Sequence, residues 1–240
     1  MYPIYMSLSI IIPCRDEEEN ISLTIKSLTR IISKKIKNYE IIIVNDFSED
    51  NTLNVCKKFS SKKIIIKDNT QKGLGGAINL GIKSSKKKYV SIMMADLSDS
   101  CFDLIRYYNV ITKDKLDAVL GSRFLNKSKI SDYPLKKLIL NRIFNYFVKI
   151  VFFSNYNDFT NAFKIYRREC LNEIKPIVSE NFNVFLEIPL KMITRKKKYK
   201  VIPISWKNRR KGKAKFKIKE LSSKYLFTFL YCLIEKLLIK

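Results

Sequence analysis

The sequence predicts an α/β fold in which a mostly parallel sheet is flanked by helices. The first observation is alternation. Short apolar runs rich in β-branched residues are separated by stretches with apolar residues at helical spacing, in the order βαβαβαβ…β. The second is size, since 240 residues are enough for one sizeable domain with its own core. The third is continuity: no internal repeat and no low-complexity linker divides the chain.

Residues 8–14, LSIIIPC, read as a buried strand stopped by Pro13. A helix follows, with Ile21, Ile25, Leu28 and Ile32 on one face and acids at 16–19 suited to its N-terminus. YEIIIVNDFSEDNT (39–52) gives a second strand that ends in Asn45-Asp46 and a turn. A helix over 52–60 and a short strand over 63–67 come next. QKGLGGAINLGIKSS opens with glycines and continues as a helix, and YVSIMM and LDAVLGSRF are further strands. In the second half, 135–153 is an amphipathic helix with Asn141, Arg142, Asn145 and Lys149 on one face. NDFTNAFKIYRREC holds a loop, a short strand and a helix, and a helical stretch covers 182–195. A strand and a basic loop fill 200–219. Residues 1–219 are read as one domain and 220–240 as an amphipathic C-terminal helix.

Charge sets the class of partner. The chain has 47 Lys+Arg against 22 Asp+Glu, a net charge of +25. Such a field attracts nucleic acid, anionic membrane or phosphorylated substrates. Lys, Ile and Asn abound throughout, so compositional bias is the competing explanation for part of the excess. The five Cys are odd in number and show no CxxC spacing, which favours a reduced compartment over a disulfide framework. There is no His, which excludes His-based zinc sites, Ser-His triads and His general bases. A metal must then be held by oxygen ligands, which favours Mg²⁺ or Mn²⁺. No signal peptide is expected over residues 1–7. No run reaches the roughly 20 apolar residues of a membrane span.

In an open parallel sheet, ligands bind at the carboxyl ends of the strands. Four strands here end in Pro13-Cys-Arg-Asp-Glu17, Asn45-Asp46, Asp96-Leu-Ser98-Asp99 and Gly121-Ser-Arg123. Each alone fits an ordinary polar turn. Together they supply acids for a cation and Arg for phosphate, which a metal-bound nucleotide needs. KGLGGAINLG lacks the GK[ST] of a P-loop and misses the dinucleotide fingerprint, leaving a tight turn and a ligand contact as equal readings.

SIIIPCRDEEENI, EIIIVNDFSEDNT, KGLGGAINLGI, MMADLSDS, LGSRFL, NDFTNAFKIYRREC and IPISWKNRRKGKAKF follow one another in the order found in family 2 glycosyltransferases. The chain resembles that family from about residue 8 to 219, most of all the branch that includes dolichyl-phosphate mannose synthase and bacterial polyprenyl-phosphate sugar transferases. The resemblance implies a GT-A fold, a Rossmann-like sheet with a C-terminal basic loop and amphipathic helix. It implies inverting transfer of a sugar from a UDP- or GDP-linked donor to a polyprenyl phosphate at the cytoplasmic membrane face. By matching position, Pro13 and Glu17 line the nucleotide base, with Arg15 where the family often has an aromatic residue. Asp46 accepts a hydrogen bond from the base, with Asn45 in place of a frequent Asp. Asp96 matches the second acid of the DxD motif, while Met94 stands in place of the first. The metal, Mg²⁺ or Mn²⁺, then rests on Asp96 with Ser98 at the next ligand-like position, and Asp99 either compensates or is a turn residue. Arg123 reaches a phosphate, Asp158 lies near the reacting centre, and Arg209 and Lys215 clamp the diphosphate. A lipid phosphate is already anionic near pH 7 and needs no strong base; for a sugar hydroxyl acceptor, Asp158 is the candidate base.

Eight of the thirteen residues from Lys207 to Lys219 are basic. Such a patch near an anionic surface is worth about 1 kcal/mol per charge. The 135–153 helix and the tail are candidates to lie in the interface apolar face down, or to pack against the sheet or a second subunit in a homo-oligomer. This predicts a cytoplasmic protein bound peripherally to the membrane. Three alternatives stand beside it: a saccharide acceptor in cell-surface polysaccharide synthesis, an inactive homologue, and a basic nucleic-acid module. Against the last, neither a base-reading helix motif nor an aromatic RNA platform is present.

Overall fold

The structure is a computed structural model that describes residues 7–209, 211–212 and 218–239. Its first half repeats strand and helix: β1 (Leu8–Cys14), α1 (Glu18–Lys35), β2 (Tyr39–Asn45), α2 (Thr52–Lys57), β3 (Ile64–Asp68), α3 (Leu74–Ser84) and β4 (Tyr89–Ile92). Then follow α4 (Cys101–Lys113), β5 (Ala118–Ser122), β6 (Lys129–Ser131), α5 (Leu135–Val151), β7 (Lys164–Arg167) and α6 (Arg168–Glu173). The chain closes with α7 (Val184–Thr194), β8 (Tyr199–Pro203), β9 (Ser205–Lys207) and α8 (Ile218–Leu238).

Every residue of β1 and β2 is buried, as expected of strands covered on both faces. Ile10, Ile12, Ile41 and Ile43 point to one face and pack with Ile21, Ile25 and Leu28 of α1. Ile11 and Ile42 point to the other and pack with Ala77 and Ile78 of α3. Each such side chain contributes about 1.5–3 kcal/mol on burial. Gly81 lets α3 approach β1, since a Cβ there would lie 2.4 Å from Ile11 Cγ2.

The sheet has the order β3-β2-β1-β4-β7-β5-β8. Pairing is parallel except at β7, which runs antiparallel to both β4 and β5. The chain leaves β1 toward β2 and β3 and then returns to place β4 on the other side of β1. That reversal opens a crevice beyond the carboxyl ends of β1 and β4, the usual ligand position in such sheets.

Three elements go beyond the sequence expectations. Helix α4 fills 101–113, burying Leu104, Tyr107, Tyr108 and Ile111 at helical spacing. Strands β6 and β9 form a small parallel ribbon, each too short to show a period of its own. Helix α5 is turned opposite to an ordinary core helix. Its Asn145 is buried, while Ile139, Ile143, Tyr146 and Ile150 are each more than half exposed.

The tail is tied into this body. Helix α8 buries Thr228, Phe229 and Cys232, and Asn183 Nδ2 donates to Thr228 Oγ1 at 2.8 Å. Phe229 meets Phe147 and Phe152 of the α5 region. Tyr225 donates to the Phe182 carbonyl at 3.1 Å, whereas Phe227 is largely exposed. Tyr231 accepts from Lys191 Nζ at 3.5 Å, and its ring stacks with that of Phe227. Among the described residues no helix is long and apolar enough to cross a membrane.

Candidate active site

The ends of β1, β2, β4 and β5 converge on one cavity of about 980 Å³, whose wall includes Pro13, Arg15, Glu17, Asp46, Asp96 and Arg123. The three loops leaving β1, β2 and β4 each hold a non-glycine residue in the left-handed region: Asp16, Phe47 and Leu97 at φ 51, 54 and 60°. Such residues cost roughly 1–3 kcal/mol each and cluster at functional sites.

On the β1 side, the Glu17 amide donates to Thr52 Oγ1 at 2.8 Å, and Glu17 Oε2 accepts from Asn20 at 2.8 Å. Burial raises the Glu17 pKa, with Asn20 and Arg209 acting against the rise. The Arg15 Nε is buried and has no hydrogen-bond partner among the described residues. A buried donor of this kind costs roughly 1–3 kcal/mol until something accepts from it. At β2, Asp46 Oδ1 accepts from Asn69 Nδ2 and from the Gly73 amide, both at 2.8 Å. This fixes the glycine loop before α3. Gly73 sits at φ 123° and lines the cavity, and a Cβ on Gly75 would fall 1.8 Å from the Ser179 carbonyl oxygen. The glycine motif thus serves both close packing and the cavity wall.

At β4, the Ser98 amide donates to Asp96 Oδ1 at 3.1 Å, closing a turn that keeps Ser98 and Asp99 in the wall. Asp99 Oδ2 accepts from the Met94 amide at 3.1 Å. Burial first, and then Asp96, push the Asp99 carboxyl up to about 7. Arg209 joins the two sides: its Nη2 lies 2.9 Å from Glu17 Oε1 and 2.9 Å from Asp96 Oδ2. Burial acts to lower the Arg209 pKa, but Asp96 and Glu17 outweigh it and hold the guanidinium above its usual value. Lys215 lies outside the described residues.

At β5, Arg123 meets Asp158 through Nε–Oδ2 at 2.9 Å and Nη2–Oδ1 at 2.7 Å, and its own amide adds a bond to Oδ2 at 2.8 Å. Burial opposes the Arg123 charge, but Asp158 raises its pKa well above the usual value. Asp158 is fully buried behind Arg123 and is not part of the cavity wall.

Two groups were not singled out from sequence. Lys137, one turn into α5, is half-buried in the wall; burial, then Arg123 and Arg209, push its ammonium down. Around Arg123, Thr160 Oγ1 and Asn145 Nδ2 each reach Asn141 Oδ1 at 2.6 Å, and Asn141 Nδ2 reaches Tyr133 Oη at 2.6 Å. The available signal was the asparagine face of 135–153, which turns inward. Beyond this network the cavity becomes apolar, walled by Phe144, Phe147, Phe182, Tyr225, Leu226 and Phe229.

The profile described as Glycosyl transferase family 2 matches residues 9–175. The chain belongs to this family. Among curated relatives, it is similar to the dolichol-phosphate mannosyltransferase of Pyrococcus furiosus, 26% identical over 222 residues, covering 90% of this chain and 61% of the relative. It is also similar to the dolichyl-phosphate beta-glucosyltransferase of Dictyostelium discoideum, 29% identical over 186 residues, covering 70% of this chain and 56% of the relative. The chain therefore spans less than two thirds of these relatives' length. A crystal structure of glucosyl-3-phosphoglycerate synthase from Mycobacterium tuberculosis with Mn²⁺, UDP-glucose and phosphoglyceric acid superposes with a TM-score of 0.74 at 12% identity. The match covers 95% of this chain and 80% of that one. At that identity the likeness concerns the fold, the GT-A architecture of a mostly parallel sheet between helices. The expected family and fold class are thus borne out.

Proposed function

We propose that this chain transfers a sugar from a nucleotide-sugar to a polyprenyl phosphate, working at an anionic membrane surface from the cytoplasmic side. The observation that carries the proposal is the two-part cavity. Its polar half, at the ends of β1, β2 and β4, suits a nucleotide diphosphate, and its apolar half, between α5 and α8, suits a prenyl chain. The names of the curated relatives point the same way.

In the polar half, Pro13, Arg15 and Asp46 face the base, and the buried Arg15 Nε gains an acceptor there. The donor set suits Mg²⁺ or Mn²⁺. Asp96 and Ser98 offer oxygen ligands only, and among the described residues no three acid or thiol side chains form a closed cage. Mg²⁺ in particular is commonly held by one or two carboxylates plus substrate phosphates. A bound cation supplies positive charge to the leaving diphosphate. The remaining positive charge comes from this chain: Arg209 for the diphosphate, and Arg123 with Lys137 for the acceptor phosphate. Asp158 acts by holding Arg123 in place, with both its oxygens engaged. An anionic acceptor oxygen attacks the anomeric carbon opposite the leaving group, giving inversion without a strong base, in keeping with a chain that has no His.

The outward apolar row of α5, Ile139, Ile143, Tyr146 and Ile150, is accompanied by exposed Leu226, Leu230 and Leu237 of α8. Together with the basic segment 207–219, this surface suits interfacial docking. The testing experiment incubates UDP- and GDP-sugars with the protein and either a polyprenyl phosphate in anionic vesicles or an oligosaccharide. Transfer to the lipid phosphate supports the proposal. Transfer to the oligosaccharide alone overturns it.

A further inference from the structure

The Arg209 guanidinium presses one nitrogen against both Glu17 and Asp96, at 2.9 Å from each. Asp96 is also the carboxylate that would hold the divalent cation in the function proposed above, on which this inference rests. A guanidinium and a divalent ion on the same oxygen are two cations at close range, so they compete for it. The guanidinium brings one positive charge to two carboxylates, so a divalent ion neutralises the pair more fully. Arg209 also stands on a short strap with two visible connections. Trp206, three residues earlier, lines the cavity, and the Lys211 carbonyl accepts from Asn20 Nδ2 at 3.4 Å. Asn20 in turn holds Glu17 Oε2 at 2.8 Å. The strap is therefore linked through Asn20 to Glu17 of the same carboxylate pair.

We propose that Arg209 is a built-in competitor of the cation: it occupies the Glu17–Asp96 pair in the nucleotide-free protein until a divalent ion displaces it. The displaced guanidinium is then free to meet the donor diphosphate. Cation entry thereby opens the site and supplies the phosphate clamp in one exchange.

The test is Mn²⁺ binding to the whole chain without nucleotide, read by the paramagnetic resonance of the free ion, for wild type, Arg209→Gln and Arg209→Lys. Arg209→Gln should bind Mn²⁺ at least about tenfold more tightly than wild type, a ratio in line with the strength of hydrogen bonds between charged groups. Arg209→Lys, which keeps the charge and loses the fork, should fall between them and covers the case in which Arg209→Gln misfolds. Trp206 is the only tryptophan, so Mg²⁺ should shift its emission in wild type and leave it nearly unchanged in Arg209→Gln. Equal or weaker Mn²⁺ binding by the folded variants, or no Mn²⁺ binding by any of the proteins, overturns the proposal. A failed sugar-transfer assay with the predicted Mn²⁺ order would overturn the function and leave this exchange standing.

Discussion

Arg123 and Asp158 are joined by a two-pronged ion pair, Nε–Oδ2 at 2.9 Å and Nη2–Oδ1 at 2.7 Å, with Asp158 fully buried and Arg123 presented to the cavity. The pair makes Asp158 a positioning residue, since its oxygens are committed to the Arg that faces the cavity. Asp158→Asn leaves a buried guanidinium short of its counter-charge, a change that costs about 3–5 kcal/mol. Denaturant unfolding should show that loss, and transfer to a phosphate acceptor should fall with it. A loss confined to hydroxyl acceptors would restore the general-base role expected from sequence.

The exposed row on α5 makes a separate prediction. Ile143 and Ile150 are 63% and 54% exposed, so replacing both with Asp removes little packing. Surface changes of this kind usually stay within about 0.5 kcal/mol of wild-type stability. Co-sedimentation with anionic vesicles should fall at least tenfold, by the order of apolar area withdrawn from the interface. Unchanged sedimentation would move the docking surface elsewhere.

Lys164 predicts a pH dependence of stability. Its ammonium is buried in β7 and donates to the carbonyls of Phe159, Asn161 and Phe185. Burial pushes its pKa from 10.5 down to about 7, with Asp158 opposing, Arg123 assisting and Asp99 opposing. Between those two values the unfolded chain binds more protons than the folded one. Wild type should therefore gain stability relative to Lys164→Gln as pH rises from about 7 toward 10.5, by at most about 1.4 kcal/mol per pH unit. Urea midpoints across that range measure it, and a falling difference would contradict the assignment.

The sheet and the strand-end residues were legible because β1 and β2 are buried on both faces and read as unbroken apolar runs. A parallel sheet then sends Pro13, Asp46 and Asp96 to one edge whatever the loops do. The Arg123–Asp158 pair was not legible, because it joins positions 35 residues apart and no local pattern encodes it. The orientation of α5 was hidden for a different reason. Periodicity shows that a helix has two faces and does not show which face meets water, and here Asn145 goes inward to receive the Phe159 amide at 2.5 Å. The direction of β7 was equally silent, since a four-residue strand carries no mark of its partner's polarity.

The proposed transfer depends on a nucleotide-diphosphate site at the strand ends, built on Asp96. Calorimetric titration of UDP and GDP, each with and without Mn²⁺, on wild type and Asp96→Ala tests it most directly. Binding of one nucleotide should depend on Mn²⁺ and fall at least about tenfold in Asp96→Ala, the scale of one charge-assisted contact. A folded wild-type protein that binds neither nucleotide, or an Asp96→Ala variant that binds as well as wild type, would contradict it.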